Sequence, residues 1–217
     1  MKMAAILPIK FHSERVPGKN FRDLCGRPLY QWILGTLLSL PELSRIVIDT
    51  DCPQVLSLPE TPKIRILERP ESLRGDHTSM NDIIEWDMAQ EPADAYLQTH
   101  ATNPLLTSDT ISRGIRLWQT GADRYDSLFS VNRIQARVYW GDGSPINHKP
   151  GALLRTQDLP PVYEENSCMF LFTRASFQKN NSRVGQTPLL YETPREESVD
   201  IDEEADFLLA EKLLKQR

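Results

Sequence analysis

The feature that most constrains this chain is the alternation of short apolar runs with amphipathic segments up to Asn132. Residues 4–9 (AAILPI), 45–49 (RIVID), 63–67 (KIRIL), 95–98 (AYLQ) and 127–131 (SLFSV) are short, mostly apolar and bounded by polar turns, which predicts buried strands. Between them, residues 29–40 place Leu29, Trp32, Ile33, Leu37 and Leu40 at helical spacing before Pro41. Met80, Ile83, Ile84 and Met88 mark one face of a second helix. Residues 109–119 align Ile111, Ile115 and Trp118 behind an N-cap at Thr107 or Ser108. Strands and helices that alternate through short connections predict an α/β fold, a mostly parallel, Rossmann-like sheet flanked by helices. Such sheets bind ligands outside the carboxyl ends of their strands.

Residues 133–161 break the pattern with Gly, Pro and short alternating pieces such as ARVYW. They predict an inserted β-hairpin subregion, a small lobe or oligomerisation arm, within a single domain over residues 1–217. Core patterning resumes at 169–173 (MFLFT). A last helix is predicted over 203–215 on Phe207, Leu208, Ala210, Leu213 and Leu214. A chain of 217 residues can bury a core without a disulfide or metal staple. Cys25, Cys52 and Cys168 are odd in number and lack Cys-x-x-Cys spacing, as reduced thiols of a cytoplasmic protein do. The apolar stretch after Met3 is too brief for a signal-peptide core, and no run reaches the ~20 residues of a membrane helix. With a net charge of −5 and no basic block, a nucleic-acid partner is not expected.

Two constellations carry chemistry. In KFHSERVPGKN (10–20), Lys10, Arg15 and Lys19 are joined by Ser13, Asn20 and Gly18 within one loop after the first strand. A triphosphate needs cationic donors and free backbone N–H groups around a turn, though a solvated basic loop has the same composition. The loop is neither a P-loop nor a dinucleotide fingerprint. In SVDIDEE (198–204), Asp200 and Asp202 alternate with apolar residues, so on a strand they share a face. That is a hard-oxygen pair suited to Mg²⁺ shared with substrate phosphates. Capping of the last helix by Asp202 is the competing reading. Lesser signals are Arg69-Pro70, the helix start at Asp76, Ser79 and Asn81, and the polar turn after Gln98. The four histidines share no ligand spacing. Asp49-Thr50-Asp51 has the spacing of a glycosyltransferase metal motif but follows only the second strand.

In order along the chain, AAILPI, KFHSERVPGKN, LCGRPLYQWIL, LERP, LRGDHTS, LQTHATNPLL, SLFSV, YEENSCMFLF and VDIDEEADF resemble the acylneuraminate cytidylyltransferase family throughout except residues 133–161. The resemblance implies a nucleotide-diphospho-sugar transferase-like fold. It implies Mg²⁺-dependent transfer of CMP from CTP to the anomeric hydroxyl of an acidic 2-keto-3-deoxy sugar, with release of pyrophosphate. A 3-deoxy-manno-octulosonate-activating sister enzyme and a catalytically silent homologue are the alternatives. By the same resemblance Lys10, Ser13, Lys19, Asn20, Arg69 and Ser79 bind CTP. Arg15, Lys19 and Asp202 act in catalysis, Gln98, Thr99 and Asn166 contact the sugar, and Asp200 and Asp202 hold the metal. A homodimer joined through residues 133–161 is also implied. The chain departs from the family at Glu14, where many members carry Lys; either Arg15 supplies that charge or the triphosphate is held differently. It departs again in the longer turn after Gln98.

Overall fold

The computed structural model describes residues 1–13, 15–75 and 77–217. Readings placed on Glu14 and Asp76 lie outside the described residues. The chain begins with β1 (Met3–Ile9), buried along its whole length. A small ribbon, β2 (Asp23–Leu24) and β3 (Arg27–Pro28), leads into α1 (Tyr30–Leu38), β4 (Arg45–Thr50), the short α2 (Pro53–Leu56) and β5 (Ile64–Glu68). Then come α3 (Met80–Gln90), β6 (Ala95–Gln98), α4 (Ser108–Thr120), β7 (Ser127–Ile134) and β8 (Val162–Thr173). The chain ends with α5 (Arg174–Asn180), β9 (Pro188–Glu192) and α6 (Glu204–Leu214).

A seven-stranded sheet runs in the order β5-β4-β1-β6-β8-β7-β9. β5, β4, β1 and β6 are parallel, and β9 is parallel to β7. β8 alone reverses, antiparallel to both β6 and β7. The chain leaves β1 on one side for β4 and β5, then returns to its other side for β6. The carboxyl ends of β1 and β6 therefore flank a topological switch point, where such sheets bind ligands.

Period-two alternation divides the core into two layers. Ala5, Leu7 and Ile9 of β1 pack with Ile33 and Leu37 of α1 and with Ile111, Ile115 and Trp118 of α4. Ala4 and Ile6 point the other way, onto Ile84 and Met88 of α3 and Phe177 of α5, beside Tyr96, Phe170 and Phe172. A third cluster seats Phe207, Ala210 and Leu214 of α6 against Leu24, Leu29, Leu105 and Ile201.

The expected strands and helices are present, with ends shifted by one to three residues except in β8. Thr107 caps α4, its side chain accepting the Thr110 N–H at 3.3 Å. β8 begins at Val162, earlier than the apolar core of MFLFT, because its first residues pair only with β7 beyond the body of the sheet. Residues 133 and 134 still belong to β7, and 135–161 connect the paired strands as a loop with one 3-10 turn (Thr156–Asp158) and an isolated bridge between Tyr139 and Pro145. The expected hairpin is thus β7 and β8 themselves. α5 and the edge strand β9 lack a distinct hydrophobic period and were not expected.

Phe172 stacks on Tyr96 at 5.9 Å and meets Phe177 at 5.6 Å between centroids. Phe172→Ala leaves a cavity that neither α3 nor α5 can close, and should cost about 3–5 kcal/mol. Urea unfolding should show a lower midpoint with an unchanged slope.

Candidate active site

At the switch point lies a cleft of about 370 Å³ lined by Lys10, His12, Ser13, Arg15, Lys19, Asn20, Arg69, Thr78, Met80 and His100, among others. Among the described residues lining it, four are Lys or Arg and none is Asp or Glu. The N-terminal loop folds into it through a turn at Gly18, whose φ of 65° is left-handed, a conformation that costs glycine little. That turn starts the 3-10 segment Lys19–Phe21. It also buries Asn20, which donates to the Lys10 carbonyl at 2.8 Å. Asn20 Oδ1 is buried with no partner, an acceptor available to a donor in the cleft.

The late aspartates meet this loop. Lys19 Nζ donates to the Ile201 carbonyl and lies 3.3 Å from Asp202 Oδ1. Arg15 Nη2 reaches the same oxygen at 2.8 Å. Arg15 is mostly exposed, so its pair contributes at most about 1 kcal/mol and exchanges readily for another anion. Lys19, with 10% of its side chain exposed, is fixed.

The segment that carries Asp200 and Asp202 is extended but pairs with no strand, which corrects the expected strand end. Ile201 is buried under α6, and its N–H donates to the Thr102 carbonyl at 3.0 Å. Asp202 thereby meets Arg15 and Lys19 of the cleft lining, and Asp200 meets Thr102, which also lines it. The cap of α6 is Glu203, in a reciprocal capping box with Asp206. Asp202 therefore does not cap the helix. Asp200 Oδ1 is buried without a partner. Burial raises the Asp200 carboxyl above the usual range; the Thr102 hydroxyl opposes this and Asp202 adds to it. An orphaned hard oxygen beside a second carboxylate fits a divalent cation whose remaining ligands come from phosphates. Among the described residues no group of three or more His, Cys, Asp or Glu could hold a metal alone.

Arg69 enters the cleft from behind. It is 3% exposed and donates through Nε to Asp49 Oδ2 at 2.7 Å. Asp51 accepts the Phe11 N–H at 2.6 Å. Both acids of Asp49-Thr50-Asp51 are thus engaged within the protein, which argues against a glycosyltransferase metal motif. Asp87 is also fully buried, with neither carboxylate oxygen partnered. Burial pushes both Asp49 and Asp87 up; Asp51 adds to the rise of Asp49 and Asp49 to that of Asp87, while Arg69 opposes both. Asp49 is the one of the two in contact with Arg69, whereas burial without a partner holds the Asp87 carboxyl well above the usual range.

The remaining expected residues divide. Gln98 is fully buried, its Nε2 3.0 Å from the Thr99 carbonyl and 3.2 Å from His100 Nε2. Ser79 caps α3, accepting the Asn81 N–H, and borders a smaller neighbouring cleft. Thr99 is buried away from the cleft, its hydroxyl donating to the Cys168 carbonyl at 2.7 Å. Asn166 does not line the cleft. A β-bulge between Phe129 and Val131, with Ser167 at a φ of 56°, re-aims β8 there. Asn166 Nδ2 bonds Asn132, Thr193 and Ser198, tying β8 to the aspartate segment.

Two residues were not singled out by their sequence. His100 lines the cleft, and burial together with Arg183 lowers its pKa to about 3, so it is neutral. Arg183 donates to Gln98 Oε1 at 2.6 Å and stacks 3.6 Å from the Phe170 ring centre. Nothing in NNSRVG marks it except one cation in an otherwise uncharged turn. A cavity of about 590 Å³ beneath the amino ends of the parallel strands, near Trp118 and Tyr125, is larger but gathers no comparable charge.

A profile of the family described as Cytidylyltransferase matches residues 4–216. The chain is 27% identical to the CMP-N,N'-diacetyllegionaminic acid synthase of Legionella pneumophila, over 99% of this chain and 97% of that protein. It is 26% identical to N-acylneuraminate cytidylyltransferase A of Danio rerio, over 96% of this chain but 50% of the relative. The chain thus spans about half the length of several relatives it matches. In fold it is similar to a CMP:2-keto-3-deoxy-manno-octonic acid synthetase complexed with CTP, with a TM-score of 0.70 at 16% identity, covering 100% of this chain and 99% of that one. A 4-diphosphocytidyl-2C-methyl-D-erythritol synthase from Anaerococcus prevotii gives 0.68 at 13% identity, covering 100% and 96%.

The buried acid beside Arg69 sets a pH dependence. Because Asp87 is raised in the folded state, the native protein binds more protons than the unfolded chain above about pH 4. Stability therefore falls as pH rises toward the folded value, by up to about 1.4 kcal/mol per pH unit. Asp87→Asn should gain on the wild type between pH 5 and pH 8 in urea titrations. A pH-independent difference would contradict a raised Asp87 carboxyl.

Proposed function

The chain belongs to the cytidylyltransferase family, and from that premise we propose that it transfers CMP from CTP to the anomeric hydroxyl of an acidic 2-keto-3-deoxy sugar. The observation that carries this reading is the cationic cleft at the switch point, two of whose cations, Arg15 and Lys19, pair with Asp202. Four cations and no described acid along its lining suit a polyanion. The relatives matched over nearly all of this chain are named for nonulosonate sugars. A relative named for 3-deoxy-manno-octulosonate, from Bdellovibrio bacteriovorus, matches 52% of it. An N-acylneuraminate-like sugar is therefore the favoured acceptor.

In this mechanism the sugar hydroxyl forms a bond to the α-phosphorus in line as the bond to pyrophosphate breaks. The protein contributes positioning and charge. Lys19 and Arg15, which converge on one carboxylate oxygen, would hold the leaving pyrophosphate, and Arg15 would supply the charge expected of the Glu14 position. Ser13 and Asn20 would take further phosphate and ribose contacts, and Lys10 and Arg69 the nucleotide side. Gln98, buried and bonded to Thr99, His100 and Arg183, would position these neighbours on the sugar side. Asp200 and Asp202 would hold Mg²⁺, whose contribution is to neutralise phosphate charge at the reacting centre.

We assign the exposed arm of residues 133–161 to homodimer contact. Leu153 is 93% exposed, and Tyr139, Trp140 and Leu154 are also exposed on that arm. An apolar set of this kind favours cover by another surface. Among the described residues no helix is long and apolar enough to cross a membrane, and the free cysteines fit a reducing cytoplasm.

Asp202→Ala should leave the melting temperature nearly unchanged and lower the rate of pyrophosphate release by at least about a hundredfold. The assay uses CTP, Mg²⁺ and a panel of 2-keto-3-deoxy sugar acids. An Asp202→Ala protein that turns over normally with Mg²⁺ would overturn the assignment.

A further inference from the structure

We propose that Arg183 receives the carboxylate of the acceptor sugar, and so selects an acidic sugar over a neutral one. This rests on the functional reading above and names the residue that reads the acidic group.

Arg183 lies between α5 and β9, with 17% of its side chain exposed. Phe170 supports one face of the guanidinium at 3.6 Å, and Nη1 is fixed on Gln98 Oε1 at 2.6 Å. Among the described residues its only carboxylate within ion-pair reach is Glu165, at 3.9 Å, longer than a charge-assisted hydrogen bond. Burial lowers its pKa only to about 10, so the group is charged at neutral pH without a close counter-ion. A guanidinium pinned on one face and one edge keeps N–H groups for a planar anion, which it binds as a fork.

The surroundings match. Arg183 lines a small cleft of about 240 Å³ together with Ser79, Asn81, Ser182 and Glu165, the last 3.9 Å from the guanidinium and the one acid along that lining among the described residues. That cleft shares Met80 with the cationic cleft. Lys10, Arg15, Lys19 and Arg69 lie in the larger space, while Arg183 stands apart from them behind Gln98 and His100. One polyanion and one monoanion thus find separate cations.

A strut that merely oriented Gln98 would need no charge. A neutral amide would donate the same bond without the desolvation a buried cation incurs. The two roles differ in what they do to selectivity.

The test compares wild type, Arg183→Gln and Arg183→Lys. KM and kcat are measured for N-acetylneuraminic acid, or whichever sugar acid of the panel reacts, and for its C1 carboxamide. CTP affinity is measured calorimetrically without sugar. Arg183→Gln should raise KM for the acid by about 30-fold, collapse the preference for acid over carboxamide, and leave CTP affinity unchanged. Arg183→Lys, which keeps the charge but not the fork, should fall between; if Arg183→Gln does not fold, a selective rise in KM in Arg183→Lys serves the same purpose. Unchanged discrimination in the variants, or a parallel loss of CTP affinity and of both substrates, overturns this inference alone. A wild type that turns over no sugar acid overturns the functional reading and this inference with it.

Discussion

A single ammonium group joins the two ends of this chain. Lys19, in the loop after the first strand, is held by the Ile201 carbonyl and lies beside Asp202. Both partners belong to a segment that has no strand of its own. What fixes that segment is the burial of Ile201 beneath Phe207 and Leu214 and its bond to the Thr102 carbonyl. The cleft wall therefore depends on packing of the last helix as much as on charge. Loss of the tie would separate a cationic loop from an acidic one, and neither is a site alone.

Around this tie the charges fall into layers that differ in solvent exposure. Arg15 and Asp202 are open enough to change partners as anions arrive. Arg69 is rigid, held at its back by Asp49, with the buried and unpartnered Asp87 nearby, its carboxyl raised by burial. The bulge in β8 connects a third region. By turning Asn166 toward Thr193 and Ser198 it couples the projecting hairpin to the residues just before Asp200.

Much of this was legible in the residues. The two-faced apolar runs gave the central strands, and helical spacing gave α1, α3, α4 and α6, because burial imposes a period wherever one face meets the core. The loop at 10–20 and the aspartate pair were visible as chemistry, but composition could not place them together; the ordered family motifs did. Three features were hidden. The reversed direction of β8 leaves no mark on an apolar run buried on both sides. The segment from Ser198 to Glu203 alternates like a strand, although side-chain burial and one bond to a turn hold it instead. Arg183 is distinguished by its stacking on Phe170 and its bond to Gln98, long-range contacts that no local spacing encodes. Thr99 and Asn166 show the converse, since polar residues at the right end of a strand proved to be engaged in internal bonds.

The claim on which the rest depends is that the loop cations and the late aspartates form one nucleotide site. Calorimetric titration of CTP with Mg²⁺ into the wild type and a Lys19→Met variant tests it most directly. A weakening of CTP affinity by at least about tenfold in a variant that remains folded is the expected result. Equal affinity in the two proteins would place the triphosphate elsewhere and contradict the site.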